Sequence, residues 1–185
     1  MVALLVTTLE GRSRLREQIR AALHPVADFP VHGVLFQDIT PVLSDAGLFG
    51  RVITAMAEPW ADAGITHVAA VESRGFVLGG AVAAALGAGF VPVRKPGRLP
   101  RPSARVAYTL EYREDVLEMH VDACPGGSVL VLDDVLATGG TAAATCALVE
   151  KVGGRVVGVS FLISIQALQG AVRLAGRRIE SLVDC

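Results

Sequence analysis

Apolar and polar positions come in alternating blocks along the chain. Leu15, Ile19 and Leu23 sit among Arg, Glu and Gln at the spacing of one helical stripe, so Leu9 to Leu23 is expected to be an amphipathic helix. His24 to Pro41 carries three prolines and a glycine, which predicts an ordered loop or extended arm. Leu48 to Met56 reads as helix, ended or kinked by Pro59. His67 to Val71, Val129 to Leu132 and Arg155 to Ile163 are apolar runs of strand type, and Ile179 to Val183 is expected to be a last strand. Gly75 to Val93 is long and uncharged, with Gly75 and Gly79 in a G-x-x-x-G. Its many Gly and Ala residues and Pro92 make it weak for a lipid span, so it reads as a buried helix, Phe76 to Leu86, then a strand, Phe90 to Val93. Strands alternating with helices imply an α/β fold with a mostly parallel sheet and ligand loops at the strands' C-terminal ends. With no internal repeat or linker, residues 1–185 are expected to form one domain.

Within this pattern Ser128 to Thr141, SVLVLDDVLATGGT, stands out. A strand leads to the acid pair Asp133-Asp134, then to a small-residue loop, Ala137-Thr138-Gly139-Gly140-Thr141, and AAATCALVEKV follows as helix ahead of Gly153-Gly154. Glycine lets backbone approach a ligand closely, and free N–H groups at a helix start form an anion site. Thr138 and Thr141 add hydroxyl donors, and a carboxylate can accept from a sugar diol. A phosphorylated ribose presents that combination. The competing reading is a plain strand-to-helix turn, with Thr138 as N-cap and both acids solvated. The loop lacks the lysine of a P-loop and the G-x-G-x-x-G of a dinucleotide site.

A second turn, Glu72-Ser73-Arg74-Gly75-Phe76, follows the strand at His67 to Val71 and can offer amides and a guanidinium to a diphosphate. Arg94, Lys95, Arg98, Arg101 and Arg105 then crowd a stretch with three prolines and a glycine, expected to lack regular structure. It is either an exposed basic loop or a mobile lid that neutralises a leaving anion. Tyr108 to Tyr112 alternates like a strand, with Glu111 on it.

Net charge is −1, which gives no reason to expect a nucleic-acid or membrane partner. Cys124, Cys146 and Cys185 are scattered and odd in number, as in a reduced, cytoplasmic protein, and argue against zinc or disulfides. The N-terminus shows no secretory pattern.

LVLDDVLATGGT resembles the phosphoribosyl diphosphate (PRPP) signature of the type I phosphoribosyltransferases, in the wording of the adenine phosphoribosyltransferase family. DFPVHGVLFQDITPVL, ESRGF, RKPGRLP and YTLEY resemble that family's other blocks, in the same order, from about Leu15 onward. The resemblance implies a type I phosphoribosyltransferase-like fold with a small N-terminal hood at about 24–44. It implies transfer of phosphoribose from PRPP to adenine, giving AMP and pyrophosphate, in a cytoplasmic homodimer. It implies that Asp133 and Asp134 hold the ribose and Ala137, Thr138, Gly139, Gly140 and Thr141 the 5′-phosphate. Ser73, Arg74, Arg94, Lys95, Arg98 and Tyr112 would meet pyrophosphate, with Glu111 and Arg74 catalytic. Val34, Phe36, Gln37 and Ile165 would meet adenine. Mg²⁺ would be held mainly by PRPP and water, with no direct protein ligand. Gln37 stands where relatives often carry Arg, and Ser164 where many carry Glu or Asn; Ser164 is given no role. The rivals are an enzyme of the same fold acting on another base, a non-catalytic purine-responsive regulator, and a plain structural domain.

Overall fold

The computed structural model describes residues 8–29, 31–33, 35–109 and 114–185. The chain divides into two compact units, Met1–Ala55 and Met56–Cys185.

In the first unit, α1 (Leu9–Ala22) buries Leu15 and Ile19, two residues of the stripe seen in the sequence. Its start is capped by Thr8, whose Oγ1 accepts from Gly11 N at 3.0 Å. The stretch expected to be a loop or arm instead holds an antiparallel pair, β1 (His24–Ala27) and β2 (Leu35–Asp38), and the start of a helix, α2 (Thr40–Ser44). Pro25 sits in a strand with one partner, where proline's missing N–H is tolerated. The next helix, α3 (Ala46–Ala57), matches the reading to within two residues at each end. It passes into a 3-10 turn, Glu58–Trp60, at Pro59.

The second unit is built on a five-stranded parallel sheet in the order β4-β3-β7-β8-β9: β3 (His67–Val71), β4 (Gly89–Val93), β7 (Ser128–Leu136), β8 (Arg155–Ser164) and β9 (Ile179–Asp184). Pro92 is on β4, an edge strand, which is where a sheet accepts proline. Two helices follow strands of this sheet, α4 (Arg74–Leu86) and α5 (Gly140–Lys151). The G-x-x-x-G of α4 is a packing device: a Cβ at Gly75 would fall 2.9 Å from Asp133 Oδ1, and one at Gly79 would press on Ala70 and Phe90. Among the described residues no helix is long and apolar enough to cross a membrane.

In this unit two readings are corrected and one strand is added. β7 runs on through Leu136, so Asp133 and Asp134 lie within the strand rather than after it. Ser103 to Arg105, assigned to an irregular basic stretch, belongs to a strand, β5 (Ser103–Thr109). Its antiparallel partner β6 (Glu114–His120) went unread, because its polar residues hide the alternation. The buried apolar core joins β3, β4, β7 and β8 to α5 through residues such as Val71, Val93, Val131, Phe161 and Leu148. Leu117 and Met119 of β6 belong to the same core.

Candidate active site

The loop after β7 meets α5 at Gly139, which is the helix N-cap with φ 79° and no side-chain cap. The first amides of α5 therefore lack the usual side-chain acceptor, as an anion-receiving helix start requires. Ala137, Thr138, Gly139, Gly140 and Thr141 line a cavity of about 110 Å³ together with Asp133. That volume suits a small anionic group and is well below what a whole drug-sized ligand needs.

The two acids are placed differently. Asp133 is half-buried and faces this cavity, and its Oδ1 accepts from Asp134 N at 3.0 Å. Burial first, and then the neighbouring Asp134 charge, push its carboxyl well above the usual range. Asp134 is buried, with Oδ2 2.6 Å from Nε of Arg74. That contact lacks hydrogen-bond alignment, so it acts as a close ion pair. Ser73 is the N-cap of α4 and makes no side-chain capping bond. The Glu72–Ser73 peptide just ahead of it is cis.

The basic stretch is strapped down by acids to which the sequence motifs assign no role. Glu72 Oε2 accepts from Arg94 Nε at 3.1 Å and Nη2 at 3.0 Å, and Glu72 Oε1 accepts from Lys95 N at 2.5 Å. Arg98 Nη1 lies 3.7 Å from the same carboxylate. Burial alone would raise Glu72, but the Lys95 amide and the Arg94 and Arg98 cations outweigh it and hold it below its usual value. Lys95 Nζ pairs with Asp115 and lies 5.8 Å from the centre of the Tyr108 ring. Glu118, 1% exposed, accepts from Arg98 N at 3.0 Å, Leu99 N at 3.2 Å, Ser103 Oγ at 3.1 Å and Arg105 Nε at 3.1 Å. Against the cost of burial, those donors hold Glu118 below the usual range too.

Phe36 and Gln37 lie on β2, and Phe36 stacks edge-on with Phe29 at 5.0 Å between centroids. Ile165 follows β8 in the second unit, its N–H donating to Leu136 O at 2.9 Å. Val34, Glu111 and Tyr112 lie outside the described residues. Among the described residues no group of three His, Cys, Asp or Glu side chains is placed to hold a metal. Cys124 and Cys146 are buried, and burial pushes the Cys146 thiol up to about 11, so neither is poised as a nucleophile.

The phosphoribosyl transferase domain family matches residues 46–175. An adenine phosphoribosyltransferase of Myxococcus xanthus is 54% identical over 89% of this chain and 90% of its own length. The crystal structure of adenine phosphoribosyltransferase from Rhodothermus marinus superposes with a TM-score of 0.90 at 48% identity, covering 94% of this chain and 99% of that one. The Saccharomyces cerevisiae enzyme, solved with an imino-altritol bisphosphate and adenine, gives 0.86 at 35% identity over 92% and 99%. Similarity this high over nearly the whole of both chains leaves one assignment: the chain belongs to the adenine phosphoribosyltransferase family.

Proposed function

We propose that this protein transfers the 5-phosphoribosyl group of PRPP to adenine. The bond from ribose C1 to a pyrophosphate oxygen breaks, a bond from C1 to a ring nitrogen of adenine forms, and the proton on that nitrogen is lost. AMP and pyrophosphate leave. The observation that carries this is the cavity at the uncapped start of α5, lined by Asp133 and the Ala137–Thr141 loop.

Charge separates as the bond at C1 breaks: the ring becomes cationic and the leaving group anionic. Groups fixed beforehand at both ends lower that barrier without reorganising. The amides and hydroxyls of Ala137, Thr138, Gly139, Gly140 and Thr141 hold the 5′-phosphate, and this distant grip aims C1 at the base. Asp133, the cavity-facing acid, is the first choice for the ribose hydroxyls. Asp134 serves beside it and orients Arg74 through their ion pair. Ser73 and Arg74 face the diphosphate. Arg94, Lys95 and Arg98 add positive charge there, with Lys95 the cation an incoming diphosphate draws away from Asp115. Glu111 as the group assisting charge or proton transfer, and Tyr112 beside pyrophosphate, rest on the family resemblance. So do Val34, Phe36, Gln37 and Ile165 at adenine, the single working domain over 1–185 with its 24–44 hood, the homodimer and the cytoplasmic setting.

The donor set fits Mg²⁺ on one condition. The condition is that the ion be held mainly by PRPP oxygens and water, as Mg²⁺ commonly is on phosphates, because among the described residues no three His, Cys, Asp or Glu side chains are placed to hold it. Bound there, it would neutralise charge on the diphosphate.

The direct test mixes protein, PRPP and Mg²⁺ with adenine, hypoxanthine, guanine or orotate in turn and identifies the nucleotide formed. AMP from adenine, with little product from the others, is expected. Product from another base in preference to adenine, or none from any base, overturns the reading.

A further inference from the structure

We propose that Gly170, which lies outside every motif above, is a positioning residue for the phosphoribosyl site. Its missing side chain lets the Ala137–Thr141 loop hold the shape that receives a phosphate monoester. The inference rests on the phosphate-loop reading and deepens it.

Gly170 opens a 3-10 turn, Gly170–Leu174, and is buried. A Cβ built on it would overlap the carbonyl oxygen of Ala137 and stand 2.9 Å from both Gly139 N and Leu136 Cδ1. The fit is reciprocal, because a Cβ on Gly139 would overlap the carbonyl oxygen of Gly170. At the closest approach backbone is thus packed on backbone, and only Leu136 Cδ1 among these neighbours is a side-chain end that could yield. The peptide after Ala137 is the informative one. In a trans peptide C=O and N–H point opposite ways. With the Ala137 oxygen turned toward Gly170, the Thr138 N–H is turned the other way, and Thr138 lines the cavity. Gly170 therefore gives a loop carbonyl that would repel an anion a place to go. A side chain there would push the Ala137 carbonyl or the Gly139 amide out of position.

The turn is braced. Gln169, just before it, is held in the left-handed region at φ 50°, which non-glycine residues seldom occupy. Its N–H donates to Gln166 O at 3.1 Å and its carbonyl accepts from Val172 N at 3.0 Å. Leu174, 1% exposed, anchors the far end in the core. Such a wedge transmits a displacement to the loop rather than absorbing it.

Gly170→Ala in the full chain is compared with Leu174→Ala, which loosens the same turn without adding bulk against the loop. Gly170→Ala should raise KM for PRPP about tenfold, with KM for adenine within about twofold of wild type. Leu174→Ala should lower thermal stability and leave KM for PRPP unchanged. A PRPP KM in Gly170→Ala equal to wild type, or raised no more than in Leu174→Ala, overturns the proposal. Should Gly170→Ala fail to fold, amide exchange on the wild-type protein decides the matter. Ribose 5-phosphate should slow exchange at 137–141 and at 169–172 together. Protection of 137–141 alone sinks the role of Gly170 and spares the functional reading, whereas no protection at 137–141 sinks both.

Discussion

The Ala137–Thr141 loop and the basic stretch from Arg94 to Arg105 both look made for anions, yet they are held by opposite means. The loop is fixed by volume: Gly139 and Gly170 meet backbone to backbone, and the cavity lies on the other side. The basic stretch is fixed by charge: Glu72, Asp115 and Glu118 already pair with Arg94, Lys95, Arg98 and Arg105 or their amides, and Asp122 pairs with Arg101. Close packing has one shape and yields little. Counter-ion pairing can be exchanged when a stronger anion arrives. A rigid grip suits the 5′-phosphate, which stays put through the reaction. An exchangeable one suits pyrophosphate, which must bind and then leave.

The comparison is broken most severely at Gly139. Gly139→Ala puts a Cβ at a left-handed position and into the Gly170 carbonyl, so both strain and overlap result. Strain of this kind costs of order 1–3 kcal/mol, and a misplaced phosphate grip is expected to lower kcat/KM for PRPP about 100-fold. Steady-state kinetics beside a thermal melt check both numbers. Near-normal PRPP use would mean the loop is not fixed by packing after all.

Next in size is Glu118. Glu118→Gln keeps the shape but turns an N–H₂ toward groups that donate: Arg98 N, Leu99 N, Ser103 Oγ or Arg105 Nε. Leaving buried donors without acceptors costs about 2 kcal/mol. Urea unfolding at neutral pH should show that loss, and KM for PRPP should rise while KM for adenine holds. A variant as stable as wild type would show that the stretch needs no counter-ion.

The two regions also differed in how far the sequence revealed them. The loop was legible because its chemistry is local: acids, small residues and glycines follow one another, and a helix pattern comes next. Gly170 was not, since its partner is a carbonyl some thirty residues earlier in the chain and a lone glycine in a turn carries no sign of that. Glu118 was missed for a similar reason. β6 itself went unread, and the basic stretch that folds over Glu118 and buries it is distant in sequence, so no local pattern announces the contact. Asp133 and Asp134 were found as a pair, while their division of labour depended on β7 continuing past them and on α4 bringing Arg74 to one of them. The parallel sheet followed from apolar runs. The β1–β2 pair did not, because prolines spoke for a loop where a two-stranded ribbon tolerates them.

The smallest effect is the one that separates the two regions by sign. Glu72 and Glu118 are held below their usual value, so their charged forms favour the fold. That contribution is full above about pH 4.5, near the ordinary glutamate value of 4.5, and is lost as pH falls through their lowered folded values. Asp133 is raised, first by burial and then by the Asp134 charge, so its charged form opposes the fold. The penalty is present at neutral pH and is relieved as pH falls through the raised folded value. Asp133→Asn should therefore be more stable than wild type at pH 7.5, by about 1 kcal/mol, where Glu118→Gln is less stable. The Asp133→Asn gap should narrow as urea unfolding is repeated at successively lower pH, whereas the Glu118→Gln gap should hold at about pH 5.5 and narrow only once pH falls below about 4.5. An Asp133→Asn protein less stable than wild type at pH 7.5, or a gap that widens on acidification, would mean that the carboxylate by the cavity is stabilised by its surroundings. The contrast between a volume-held loop over a strained acid and a basic stretch held by favourable ones would then be lost.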